Sequence, residues 1–152
     1  MYYGAFIVIP LIFLPFAWYW IPVFFISMHF ACGLILTTVF QTAHVMPSSE
    51  YPLPDGKGNM ENNWAVHQLR TTSDFAPGNR LLSWFIGGLN FQVEHHLFPN
   101  ISHVHYRKIS VIVAETTKKY GLPYHVQPSF LTAVYNHARM LKMLGHISPI
   151  YT

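Results

Sequence analysis

Two adjacent imidazoles carry the clearest chemical signal in this sequence. They are His95 and His96 in the stretch QVEHHLFP, and a carboxamide, Gln92, precedes them by three and four residues. On a helix these spacings make the three side chains surface neighbours. Adjacent helical residues differ in direction by about 100°, so the two imidazoles can reach two different metal ions. This pattern therefore predicts transition-metal chemistry at residues 92–96.

The paired histidines need a short, firmly placed helix. Asn90 suits the N-cap position and Pro99 suits a stop, so a short helix is predicted between them. The alternative is a chance His-His pair on a solvated surface. The flanking residues argue against it, because most are apolar: Leu89, Phe91, Val93, Leu97 and Phe98.

Composition excludes several classes of site. Charged residues make up 10% of the chain, against about 25% in ordinary soluble domains. The single cysteine, Cys32, excludes an intrachain disulfide or a thiolate cluster built by this chain alone. The net charge of +3 comes without a dense basic patch, so no nucleic-acid partner is predicted.

The beginning of the chain predicts a membrane segment. The first charged residue is Glu50, and the uncharged stretch before it would span roughly 74 Å as one helix. A hydrocarbon core is about 30 Å thick, so two crossings are expected, at residues 2–14 and 22–44. A cleavable signal peptide is disfavoured because no basic residues precede a run of this length. The shortness of the first segment predicts a C-terminal portion of a larger membrane protein.

The predicted fold class is therefore all-α and integral to the membrane. Residues 1–46 form a two-helix transmembrane hairpin, and residues 47–152 form cytosolic or interfacial helices that carry the histidine pair. Every lysine and arginine lies at Lys57 or later, which places the C-terminus in the cytosol by the positive-inside rule. A helix is expected within residues 63–75, an interfacial one within 79–91, and two more at 105–120 and 128–144.

The run GGLNFQVEHHLFPNISHVHY resembles the third histidine box of the membrane fatty acid desaturases. Its Gln-x-x-His-His form is similar to that of the front-end branch, which acts on acyl-lipids or acyl-CoA. The resemblance implies two iron ions that use O2 to introduce a cis double bond into an acyl chain. It also implies an electron donor such as a cytochrome b-type domain or a ferredoxin, and a location in the endoplasmic reticulum or a bacterial inner membrane.

The resemblance also implies roles for individual residues. His95 and His96 would be iron ligands, as would His44 at the cytosolic end of the second membrane segment, and Gln92 would bind iron directly or through water. No catalytic residue beyond these ligands is implied.

Other polar residues near the box have two interpretations each. His67 lies in a Trp-x-x-x-Gln pattern of the branch and is either a ligand or a helix-surface histidine. Glu94 either orients an imidazole or is a solvated carboxylate. His103 and His105 are either supports of the ligands or ordinary surface histidines.

The family's first two histidine boxes do not occur in this sequence. The chain therefore offers about half of the iron ligands that the resemblance implies. An inactive fragment or pseudoenzyme stays open as an alternative, as does a hydroxylase or acetylenase on the same scaffold. A b-type haem site is disfavoured, because only His29 lies well inside a membrane segment.

Overall fold

The computed structural model describes residues 1–61 and 63–146 of the chain. Most of these residues are helical, which confirms the all-α part of the predicted class, and integration into a membrane stays a prediction. The chain divides into two compact units, Met1–Thr38 and Val39–Thr152. The predicted final helix, residues 128–144, lies within the described part and is observed as Phe130–His146.

The first unit contains two apolar helices. Helix α1 is Gly4–Phe13, and it opens with a π-helical turn over Gly4–Val8. Helix α2 is Trp20–His44, and its residues from Val39 onward belong to the second unit. Pro10 sits in the first turn of the α-helical part of α1, where its missing N–H is not needed.

Helix α2 has 25 residues, or about 37 Å of length, enough to cross a hydrocarbon core of about 30 Å. Within residues 1–61 and 63–146 it is the one helix long and apolar enough to do so. Helix α1 is shorter, so the second crossing of the predicted hairpin stays a prediction.

The second unit is built from short helices and one pair of strands. After the last turn of α2, its elements are α3 (Trp64–Thr71), β1 (Ser73–Phe75), α4 (Arg80–Phe85), α5 (Gln92–Leu97), a 3-10 turn (His103–His105), α6 (Tyr106–Tyr120), β2 (His125–Gln127) and α7 (Phe130–His146). The two strands are parallel, with Ser73 opposite His125 and Phe75 opposite Gln127.

Side chains explain where several helices begin and end. The Asn63 side chain accepts a hydrogen bond from the Val66 N–H at 3.0 Å, and Asn79 caps α4 in the same way. Gly121 closes α6 in the left-handed conformation, with φ 66°, as the sequence predicts.

Two predicted helical regions are shorter than expected. The helix within residues 63–75 ends at Thr71, and strand β1 follows it. The apolar region 79–91 is helical only to Phe85. Gly87 and Gly88 then adopt φ angles of 61° and 75°, which turn the chain toward α5.

Two apolar clusters fix these elements. One joins Val39, Ala43 and Met46 at the end of α2 to Phe75, Ala76 and Ala133. The other joins Leu69, Val93 and Val113, from α3, α5 and α6. Because Val93 is fully buried in the second cluster, the helix that carries the paired histidines is packed against two of its neighbours.

Candidate metal site around the paired histidines

His44 and His96 face each other through one ring nitrogen each. Their Nε2 atoms lie 3.3 Å apart, and the rings are perpendicular with centroids 5.0 Å apart.

This pair has the spacing of two ligands of one cation. Metal–imidazole bonds of about 2.1 Å place two ligand nitrogens of one ion roughly 3.0 to 3.4 Å apart. Burial, together with the neighbouring His44 and His95, lowers the pKa of His96 to about 4. His96 is therefore neutral at physiological pH, and the neutral imidazole is the form that binds a metal.

His95 points to a different neighbour. Its Nδ1 lies 3.4 Å from the hydroxyl oxygen of Tyr106, and its ring centroid is 5.7 Å from that of His96. The two adjacent imidazoles thus have separate partners, which agrees with the divergence expected of consecutive helical residues.

Gln92 is the least satisfied polar residue on α5. Its side chain is 1% exposed, and neither its Oε1 nor its Nε2 has a hydrogen-bond partner. Such an unpaired buried group costs about 1–3 kcal/mol. The carboxamide therefore fits a site whose polar partner is supplied from outside the chain, such as a metal ion or a bound water.

The described residues do not complete a metal site. Within residues 1–61 and 63–146, no three His, Cys, Asp or Glu side chains come together to hold one cation. The donors that the structure brings together are the His44–His96 pair, with the unpaired amide of Gln92 on the same short helix as His96. They fit part of a metal site, and the assignment of iron ligands stays a prediction.

The other candidate histidines lie on α3 and in the 3-10 turn before α6. His67 is half-buried on α3 and its Nδ1 has no partner among the described residues. His103 and His105 are exposed, in and beside the 3-10 turn before α6. Within the described ranges, none of the three forms a hydrogen bond or ring contact with His44, His95 or His96.

Glu94 is fully buried, so its interpretation as a solvated carboxylate is wrong. Its Oε1 lies 3.0 Å from the Tyr124 hydroxyl, which also lies 2.8 Å from Oδ2 of Asp74. Burial, followed by the charge of Asp74, raises the pKa of Glu94 to about 9. Tyr124 has one hydroxyl hydrogen, so a protonated Glu94 supplies the second hydrogen that this group of three side chains needs.

Asp74 caps the histidine helix from another part of the chain. Its Oδ1 accepts the Val93 N–H at 2.9 Å. Burial raises the pKa of Asp74, whereas its hydrogen bonds to Val93 and Tyr124 lower it. The prediction that Asn90 is the N-cap is wrong. Phe91 occupies that position without a side-chain cap, and the Asn90 side chain reaches the Ala76 carbonyl at 3.4 Å instead.

Sequence reasoning missed Asp74 and Tyr124. Tyr124 is 50 residues from Asp74, and the strands that bring them together have three residues each. Strands this short give no measurable alternation of apolar and polar residues. The one signal available in the sequence is that Asp74 is one of only six acidic residues in the chain.

Known proteins resemble this chain along most of its length. Residues 1–128 match the family model for fatty acid desaturases. The chain is 43% identical over 117 residues to the sn-1 linoleoyl-lipid 6-desaturase of Synechocystis sp., covering 76% of the chain and 33% of that protein. The enzyme of the same name from Arthrospira platensis is 42% identical over 113 residues, 74% of the chain and 30% of the relative. An acyl-lipid (8-3)-desaturase from Physcomitrium patens is 40% identical over 121 residues, which cover 80% of the chain and 25% of that relative.

The chain therefore spans about a quarter to a third of the length of these curated relatives. No solved structure gives a significant match. The resemblance that the sequence motif indicated is confirmed at the level of the family.

Proposed function

This chain belongs to the fatty acid desaturase family, and we propose that it forms the C-terminal part of the catalytic domain of a di-iron, O2-dependent membrane desaturase. The reaction introduces a cis double bond into the acyl chain of a lipid or an acyl-CoA. In this proposal His44, His95 and His96 each supply an imidazole to the iron site, and Gln92 supplies its amide oxygen directly or through water.

One observation carries the proposal. The Nε2 atoms of His44 and His96 meet at 3.3 Å, at the end of the apolar helix α2 and on the helix of the histidine box. Two imidazoles face each other in a partly buried site instead of each facing water. The unpaired amide of Gln92 on the same helix supports a polar partner from outside the chain.

The protein side chains would bind and orient, while iron supplies the redox chemistry. With iron bound there, the overall reaction would combine two hydrogens of the acyl chain with O2, two electrons and two protons, to give one double bond and two molecules of water. His96 presents a neutral nitrogen, because burial lowers its pKa. The buried Val93 and Phe91 keep one part of α5 out of contact with water.

The proposed location is a membrane, with the site near the cytosolic surface. Helix α2 is long enough to span the bilayer, and His44 is its last residue. Its partner α1 would complete a hairpin, and the C-terminus would lie in the cytosol. A site at this depth meets a cytochrome b-type domain or a ferredoxin on its polar side and an acyl chain on its apolar side.

A chimeric enzyme tests the proposal. This chain replaces the part of the Synechocystis relative that it matches, about a third of that protein, and the chimera is produced in membranes with an electron donor. We expect bound iron and a new double bond in the lipids. A hydroxylated or acetylenic product would identify another reaction on the same scaffold. A correctly inserted chimera that lacks iron and product would contradict the proposal.

A further inference from the structure

We propose that Asp74 and Tyr124 are positioning residues, which hold helix α5 so that His95 and His96 point toward their separate partners. The inference rests on the metal-ligand role proposed above for the two histidines. Its structural basis, a network of buried hydrogen bonds, lies entirely within the second unit.

Helix α5 needs support from outside its own sequence. It has six residues, whereas isolated helices shorter than about 12–15 residues are marginal in water. Its N-cap is Phe91, which makes no side-chain cap. The first N–H groups of a helix have no partner within the helix, so an uncapped helix of this length would fray.

Asp74 supplies the missing cap. Its Oδ1 accepts the Val93 N–H at 2.9 Å. Val93 is the second residue of α5. The carboxylate comes from β1 and not from the preceding turn, so it fixes the helix in position as well as stabilising its first turn.

Tyr124 ties the cap to the next residue of the helix. Its hydroxyl lies between Asp74 Oδ2, at 2.8 Å, and Glu94 Oε1, at 3.0 Å. Val93 and Glu94 are thereby both held, immediately before His95. Since successive helical side chains are about 100° apart, two consecutive fixed residues determine the directions of the next two.

The small parallel sheet places these two side chains together. Asp74 is the middle residue of β1, and Tyr124 immediately precedes β2. Asp74 pairs with Val126, and the Ser73 hydroxyl donates to the His125 carbonyl at 3.2 Å. The pairing of β1 with β2 therefore brings Tyr124 into contact with Glu94 of helix α5.

Hydrogen–deuterium exchange of the 152-residue chain in detergent tests the proposal. Asp74→Ala removes the acceptor, and we expect amide exchange across residues 92–97 to rise about tenfold or more. Asp74→Asn keeps an acceptor oxygen and should restore most of the protection. Exchange in α6 and α7 should not change.

Tyr124 packs against the apolar cluster of Leu69, Val93 and Val113, and Tyr124→Phe keeps this ring and removes only the hydroxyl. We expect the imidazole NMR signals of His95 and His96 to shift, with those of His29 and His146 unchanged. The matched control is Tyr135→Phe, because Tyr135 is 68% exposed and lies outside this network. Should Asp74→Ala fail to fold, Tyr124→Phe and Asp74→Asn still report on the network.

Two results would overturn the proposal. One is unchanged exchange in α5 together with unchanged histidine signals in Tyr124→Phe. The other is a uniform rise in exchange across α5, α6 and α7, which would make these residues ordinary core contacts. Neither readout uses bound iron or activity, so a failure here is distinct from a failure of the proposed ligand roles, which the iron content of the chimera measures.

Discussion

The Nε2 atoms of His44 and His96 lie 3.3 Å apart although 52 residues separate them in the sequence. This contact joins the end of the long apolar helix α2 to the short helix α5. His44, which is predicted to lie at the membrane surface, is thus brought beside the histidine box by residues of this chain.

Replacing either His95 or His96 with alanine should remove most of the activity. In the chimera, His96→Ala should lower desaturation by at least about 100-fold, a larger effect than the 10–100-fold typical of residues that only support a ligand. His95→Ala should do the same, because the two rings have separate partners. Bound iron and product are measured together.

The control for these variants is His105→Ala. His105 is exposed and no role in binding iron is proposed for it, so iron content and turnover should not change. Full turnover by His96→Ala with unchanged iron would rule out its assignment as a ligand.

Sequence reasoning succeeds where a feature is local. The histidine pair, the long apolar helix and the left-handed Gly121 that ends α6 are each encoded within a few neighbouring residues. It fails where a short element depends on distant partners. The cap of α5 comes from Asp74, 19 residues before Val93, so the nearby Asn90 was the wrong prediction. No periodic pattern in the sequence predicts that a carboxylate on a short strand caps a helix 19 residues later.

Replacing Gln92 should change stability and metal binding in opposite directions. Gln92→Leu removes a buried amide that has no partner, so the free energy of unfolding should rise by about 1 kcal/mol. The same change should lower the iron content of the chimera, because it removes an oxygen donor. Denaturant unfolding of the chain and metal analysis of the chimera give the two quantities.

Gln68→Leu is the matched control, since Gln68 is only half-buried on α3. It should leave iron content unchanged. A loss of stability in Gln92→Leu with normal iron would show that the amide is paired through a structural water instead.

The distribution of basic residues predicts the orientation in the membrane. All nine lysines and arginines lie at Lys57 or later, so the part of the chain after α2 should face the cytosol. In sealed vesicles with the cytosolic face outward, added protease should remove a C-terminal tag. An enclosed lumenal marker protein serves as the control. A tag that is cut only after the vesicles are opened would reverse the predicted orientation.

The 152-residue chain should bind iron weakly by itself. No three His, Cys, Asp or Glu side chains within residues 1–61 and 63–146 converge on one cation, and transition metals need several ligands in a defined geometry. Metal analysis after purification in detergent should therefore give less than one iron per chain. Two tightly bound irons, or a double bond formed in added lipid, would contradict this prediction.

Two neighbouring glycines should differ sharply in their tolerance of alanine. Gly87 and Gly88 both have positive φ, 61° and 75°, so alanine at either costs about 1–2 kcal/mol in backbone conformation. A Cβ at Gly87 meets nothing within 4 Å, whereas one at Gly88 would lie 2.8 Å from the Cβ of His103. Gly88→Ala should therefore cost roughly 1–3 kcal/mol more than Gly87→Ala, measured by denaturant unfolding in detergent. Equal losses in the two variants would mean that the turn before the histidine helix does not pack closely against His103.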